Sequence, residues 1–445
     1  MLLSILIMLL LISVLIIAHE FGHFFVARWC GVRVERFGMG LPIGPAIWSK
    51  KVGQTEVCLH PILFGGYVSF PDDSEESTVP LDSRERFENQ PPLNRLAIAL
   101  AGITVNFLLG WLLFAGLFMT SGINTVGAAG IAGLVPAMES AELPAASLPQ
   151  PVASRLEANR PLVVLNDRVA LTGTEGLWDL AQASSRYYRN QPGTSLAVYL
   201  RPSAPDAPVR KVSLIPSVAA ESGLMPGDKI IGVDGVALSS AGFLDAPTSH
   251  LIETIQKHPG QSVVLTVQPL VGAVRNVNLM PMSRVSDGRG SIGAELIPAD
   301  VKPATTTNPF IALGNALEIS RYIVVKNFEG LGRLVTGQAN AKDLAGPIRL
   351  VDTGARLIES SGIAQGLLLT AMISVILAVM NVLPVPPLDG SHLLFIGIEL
   401  LKGSPLQKAI QERIVQVGFV GLLLLMSFVL FNDLLNLFNR NGLAG

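Results

Sequence analysis

The amino-acid sequence predicts a membrane-embedded α-helical protein. Four transmembrane helices carry a small membrane-associated β-hairpin or sheet, and two β-rich modules lie outside the cytoplasm. Three observations lead there. Of 445 residues, 49% are hydrophobic and only 15% charged, where soluble domains carry about 25%. Four apolar runs are long enough to cross a bilayer, which takes about 20 residues of helix. Between the second and third runs lies a long polar stretch, about 122–345, punctuated by Pro and Gly. A formal charge of −2 gives no electrostatic case for nucleic acid. Both cysteines, Cys30 and Cys58, fall early, so no disulfide framework holds the polar stretch.

The first run covers residues 2–18 and continues to about Arg28. No basic residue precedes it and no small-x-small cleavage site ends it, so it reads as a retained helix and not a secretory signal. The second runs from Leu96 to about Thr120, the third from about Gly362 to Leu383, and the fourth from Val415 to about Phe431. Basic residues set the orientation. Arg28, Arg33, Arg36, Lys50, Lys51, Arg84, Arg86 and Arg95 lie between the first two spans, and Lys402, Lys408 and Arg413 between the last two. After span two no Lys or Arg occurs until Arg155. The two short connections are therefore expected in the cytoplasm, with both termini and the polar stretch on the far side.

The polar stretch reads as two copies of one small β-rich module, expected at 122–213 and 214–300. In "GLMPGDKIIGVDGVAL" (223–238), Asp-Gly between two apolar runs signals a tight hairpin. A helix, a Gly turn and a strand follow in "SHLIETIQKHPGQSVVLTV". Residues 166–202 repeat that order about 60 residues earlier. Region 301–345 mixes apolar and charged residues at helical spacing, as an amphipathic membrane-surface helix would. The membrane parts are thus 1–121 and 346–445.

"VLIIAHEFGHFFVAR" (14–28) places His19, Glu20 and His23 within the first span. Positions i and i+4 share a helix face, so His19 and His23 form a bite suited to Zn²⁺. Glu20 follows the first ligand, where it can take a proton from a zinc-activated water without itself ligating. Polar side chains in hydrocarbon cost on the order of 2.5–3.5 kcal/mol each when charged, which argues against a chance motif. A catalytic zinc takes a third protein ligand. His60, His392 and Asp389 are candidates. Asp389 is favoured, because "MNVLPVPPLDGSHLL" (380–394) breaks its helix at the same membrane side as the histidines, and such backbone is tolerated where it lines a cavity. "PILFGGYVSF" (61–70) alternates strand formers, and "PDDSEES" (71–77) reads as a solvated loop.

The sequence resembles the site-2 protease family of zinc intramembrane metalloproteases. HEFGH, "RWCGVRVERFGMG", "LFGGYV", "AGITVNF", "DLAGPI" and "NVLPVPPLDG" occur in the family's order. The resemblance implies one zinc per chain held by His19, His23 and Asp389, with Glu20 as catalytic acid–base. It implies that Asn381 contacts substrate or supports the site, together with Gly65, Gly66, Tyr67, Pro384, Pro386 and Asn106. It likens the central modules to paired, circularly permuted PDZ domains acting as a size filter. The expected task is the second cut of regulated intramembrane proteolysis in a bacterial inner membrane. An anti-sigma factor trimmed outside would be cut within its membrane segment during an envelope stress response, and remnant signal peptides form a second substrate class. Three departures stand out. Ile376 replaces a frequent Asn, Gly102-Ile103 replaces Gly-Pro, and Ser391 follows Leu-Asp-Gly. The first module also lacks a Gly-Leu-x-x-Gly-Asp loop. A catalytically idle PDZ-bearing adaptor is the alternative function, against which the intact Glu20 argues. A zinc transporter would need polar residues spread along several spans.

Overall fold

Long apolar stretches at both ends of the chain fold as helices, and the polar middle folds as sheets. The computed structural model describes residues 1–42, 44–61, 65–73, 77–135, 137–158, 161–165, 168–172, 196–201, 208–215, 217–240, 243–244, 246–283, 288–337 and 346–440. They divide into two units, residues 1–123 with 305–445 and residues 124–304.

In the first unit, α1 (Leu2–Trp29) runs through the whole first apolar segment. It stops where Gly31 adopts a left-handed φ of 82°. The Val32 N–H then donates to the Ala27 carbonyl at 2.9 Å, a Schellman closure that satisfies a terminal carbonyl. Four short strands follow: β1 (Arg36–Met39), β2 (Trp48–Val52), β3 (Thr55–Leu59) and β4 (Gly66–Ser69). They form one sheet in the order β2-β3-β1-β4, so β4 is an edge strand. β1 pairs parallel with β3 and antiparallel with β4. The expected strand at 61–70 is realised as β4, while residues 62–64 lie outside the described residues.

α2 (Pro92–Met119) opens with proline in its first turn, where a missing N–H costs nothing. Five more helices follow: α3 (Pro309–Val335), α4 (Pro347–Ser361), α5 (Ile363–Val382), α6 (Asp389–Lys402) and α7 (Lys408–Arg440). Four of the seven, α1, α2, α5 and α7 to Asp433, are long and apolar enough to cross a membrane. These are the four spans expected, with α7 longer than the run read from 415 to 431. α6 is a helix that the sequence reading did not draw. Its run of Leu, Phe and Ile is interrupted by Gly and too short to register as a span.

α2 packs against α1, α3, α5 and α6. Glycine allows the close approaches: a methyl added at Gly22 would stand 2.8 Å from the Ala101 carbonyl oxygen, and one at Gly110 2.9 Å from that of Ala371. Met8, Ile12 and Leu15 of α1 are buried with Ile373 of α5. The amphipathic helix expected at 301–345 is α3. It buries Ala312, Ala316, Ile319 and Ile323, and the Trp111 indole N–H of α2 donates to the Leu313 carbonyl at 2.9 Å. α7 differs from the other spans. Only 6% of its apolar window is buried, against 33–44% for the rest.

The second unit holds two larger sheets. One has the order β6-β10-β9-β7-β8, from β6 (Ala137–Leu143), β7 (Pro161–Leu165), β8 (Arg168–Thr172), β9 (Leu196–Leu200) and β10 (Val209–Ile215). The other runs β13-β12-β11-β5-β14, with β5 (Ile123–Leu134), β11 (Lys229–Val233), β12 (Val263–Gln268), β13 (Arg275–Leu279) and β14 (Ala294–Ala304). β5 thus lies within the 122–213 segment but joins the later sheet. Ala129, Ile131 and Leu134 are buried there with Ile230, Leu251 and Leu265, and this shared core decides its partner. The hairpin read at Asp234-Gly235 is present: both residues have left-handed φ, 47° and 80°, and Val233 pairs with Val236. The helix read between 166 and 202 falls outside the described residues.

Candidate metal centre

The helical spacing of His19 and His23 sets their rings edge to face, 4.8 Å apart. Asp389, at the first turn of α6, enters from the other end of the chain. The His19 and His23 Nε2 atoms are 3.2 Å apart. Asp389 Oδ2 lies 3.1 Å from the first and 3.4 Å from the second. A tetrahedral zinc with bonds of about 2.0–2.1 Å holds its donors roughly 3.3–3.4 Å apart. The three atoms therefore already stand at the separations of one face of such a site. Asp389 Oδ2 is moreover buried, and apart from the two imidazole nitrogens it has no polar partner. An anionic oxygen left in that state is costly unless a cation joins it. The donor set, two imidazoles and a carboxylate with a fourth position open, fits zinc. It is the one such group of three or more ligating side chains among the described residues.

Each imidazole has a partner on its outer nitrogen. His23 Nδ1 lies 2.8 Å from the Ile98 carbonyl. A carbonyl only accepts, so Nδ1 carries the proton and the Nε2 lone pair is free for a metal. His19 Nδ1 lies 3.2 Å from the side-chain nitrogen of Asn106, which is 1% exposed. Asn381, on the last turn of α5, places its side-chain nitrogen 3.4 Å from His19 Nε2, on the metal side.

Glu20 points to the same space. It lines a cavity of about 360 Å³ with His23, Asp389, Val68, Phe70 and His392. The backbone amide of Val68 faces its carboxylate. β4 passes so close that a methyl on Gly66 would stand 2.9 Å from Glu20 Cγ. The edge strand is therefore beside the candidate acid–base.

The other sequence-derived residues divide. His392 lines the cavity with its ring edge-on to Phe87 at 6.0 Å and stands outside the three-donor group. Burial pulls its pKa down, although Asp389 opposes the shift. His60 is turned into the sheet, with Nε2 3.2 Å from the Tyr67 hydroxyl. Tyr67 lies over Gly38, where a side chain would collide with its ring. Gly65 packs against Leu41, and Pro386 against Gly418 of α7, while Pro384 is exposed.

Gly102 belongs to the centre too, although the sequence marks it only through the Gly102-Ile103 pair and not as a site residue. A methyl there would stand 2.3 Å from His23 Nε2 and 2.6 Å from His19 Cε1. The available signal was spacing: Gly102, Asn106 and Gly110 recur at i, i+4 and i+8, on one helix face.

The profile of Peptidase family M50 matches residues 7–425. The Regulator of sigma-E protease RseP of Escherichia coli (strain K12) is 32% identical over 449 residues, covering 95% of this chain and 96% of that protein. Protease RseP of Yersinia pestis is 31% identical over 453 residues, with 95% and 96% covered. A Nostoc protein whose name includes "zinc metalloprotease" is 31% identical over 431 residues, with 95% and 93% covered.

Proposed function

Since the chain belongs to peptidase family M50 and is a zinc-dependent metalloprotease, we propose that it cuts peptide bonds inside the membrane, using His19, His23 and Asp389 to hold the metal and Glu20 as acid–base. The observation that carries this reading is the convergence of those three donor atoms, two of them on the apolar helix α1, beside Glu20. When bound, zinc supplies the Lewis acidity that makes water a nucleophile near neutral pH. Glu20 takes the proton of the attacking water on its carboxylate and returns it to the leaving amine nitrogen. The Asn381 amide nitrogen, 3.4 Å from His19 Nε2, is the donor assigned to the substrate carbonyl oxygen in this reading.

A membrane helix must unwind before it can be cut, and its freed N–H and C=O groups need partners. The outer edge of β4, the last strand of its sheet, provides them by strand addition, with Gly65, Gly66 and Tyr67 along the path and Pro384 and Pro386 shaping the loop before Asp389. The substrate class is a membrane-anchored protein. An anti-sigma factor already trimmed by a first protease, or a remnant signal peptide, fits the likeness to sigma-E regulators. The two β-rich modules act as PDZ-like filters that exclude bulky extracytoplasmic domains. Lys and Arg placement puts both termini and these modules on the periplasmic side of an inner membrane, with the metal centre near the cytoplasm.

The test is a membrane-anchored reporter with Glu20→Gln. That variant is expected to keep zinc and to lose cleavage by at least about 1,000-fold, the scale of general acid–base catalysis with nucleophile activation. Cleavage at the wild-type rate would overturn the assignment.

A further inference from the structure

Two irregularities meet at His19. Its Nδ1 faces a nitrogen of Asn106 at 3.2 Å, while the Asn106 oxygen, Oδ1, is buried with no hydrogen-bond partner. A neutral histidine that presents Nε2 to a metal must carry its proton on Nδ1. That proton would then point at an amide N–H₂, donor against donor. Turning the Asn106 side chain by half a turn exchanges its oxygen and nitrogen. The same rotation gives the His19 proton an acceptor and the orphaned oxygen a donor.

From this we propose that Asn106 is a positioning residue of the zinc centre, its amide oxygen accepting the Nδ1–H of His19. This inference rests on the metalloprotease reading above. It completes a pair: the Ile98 carbonyl orients His23, and Asn106 orients His19. Both partners come from α2, whereas both histidines lie on α1. The backbone of Asn106 is itself tied down, because the Ser374 hydroxyl of α5 donates to its carbonyl at 2.7 Å. α5 is also the helix that brings Asn381 to His19 Nε2. The zinc ligand, the acceptor that orients it and the residue on its reactive side are therefore linked across three helices. Gly102, one turn before Asn106, makes room for the rings, and Gly110, one turn after, makes room for α5. The role differs from substrate contact, since Asn106 is 1% exposed.

The experiment measures Zn²⁺ affinity of the full-length protein in nanodiscs by competition with a fluorescent chelator. The Glu20→Gln background keeps the metal ligands and removes the proposed acid–base, so the readout is independent of activity. Asn106→Leu keeps the volume and removes the acceptor; Asn106→Asp keeps an acceptor in place. The expected result is a loss of about 10- to 100-fold for Asn106→Leu, the usual effect of removing such a partner, with Asn106→Asp within about threefold of the parent. Parent affinity in Asn106→Leu would overturn the proposal. So would an equal loss in both variants, which would make the site one of packing only. Melting of the chelator-stripped proteins separates metal affinity from folding. Should Asn106→Leu melt early when stripped, Asn106→Asp decides alone: retained affinity supports the acceptor role and a tenfold loss rejects it. A parent protein that binds no zinc would instead strike at the metalloprotease reading.

Discussion

Asp433, on α7, accepts hydrogen bonds from the backbone N–H groups of Gly346 at 3.1 Å and Arg349 at 3.0 Å. The first turn of α4 is thus capped by a side chain 84 to 87 residues further along the chain. Helix N-termini leave such donors unpaired, and a carboxylate satisfies both them and the helix dipole. Replacing Asp433 with Leu is expected to destabilise the protein by about 1–3 kcal/mol, the penalty for unsatisfied buried donors. Asp433→Asn, which keeps one acceptor oxygen, should lose less. Gly346→Ala should also destabilise, because its added methyl would stand 2.4 Å from the Asp433 carboxylate. Thermal melting in one fixed detergent compares the three.

Gly102→Ala should disturb the metal centre without touching a ligand. Its methyl must displace the His23 or His19 ring, so zinc affinity is expected to fall by about tenfold or more, the range seen when ligand orientation is lost. Gly116→Ala on the same helix has nothing within 4 Å of the new methyl and should bind zinc normally. Metal content after dialysis distinguishes them.

Asp389→Ala removes the third donor and leaves two histidines. Zinc content should drop to background and cleavage with it. Chelator treatment of the wild type should abolish cleavage, and added zinc should restore it. Full zinc occupancy in Asp389→Ala would point instead to His392, which lines the same cavity.

Gly66→Ala separates binding of the metal from its use. The methyl would press on Glu20 Cγ, and displacement of a catalytic group by an ångström costs on the order of 100-fold in rate. Reporter cleavage should fall by that factor while zinc content stays at one per chain. A variant with unchanged cleavage would show that β4 yields freely.

The sequence made the apolar spans and the i, i+4 histidines readable because each depends on local periodicity alone. Asp389 was readable for a different reason: prolines interrupt an apolar run and leave an acid where helix cannot continue. Three features were not. Ile98 contributes a backbone carbonyl, which any residue would supply, so no side chain announces it. The sheet membership of β5 depends on Ala129 and Ile131 meeting Ile230, a contact across about 100 residues of sequence. Asp433 lies just past the fourth apolar run, and nothing local marks it as a cap, because its partners Gly346 and Arg349 are more than 80 residues away in the chain.

The sparse burial of α7 has a consequence for how the enzyme must be handled. It is fastened near its ends, by Asp433 to α4 and by Lys408 to Glu88, with Gly418 set against Pro386. Between these pins, Phe419, Val420, Leu423, Leu424 and Leu425 are exposed. The acyl chains of the surrounding bilayer are therefore the neighbours that this stretch packs against. Lipid here is a structural component, and the solubilising agent chosen for any assay becomes part of the molecule being assayed.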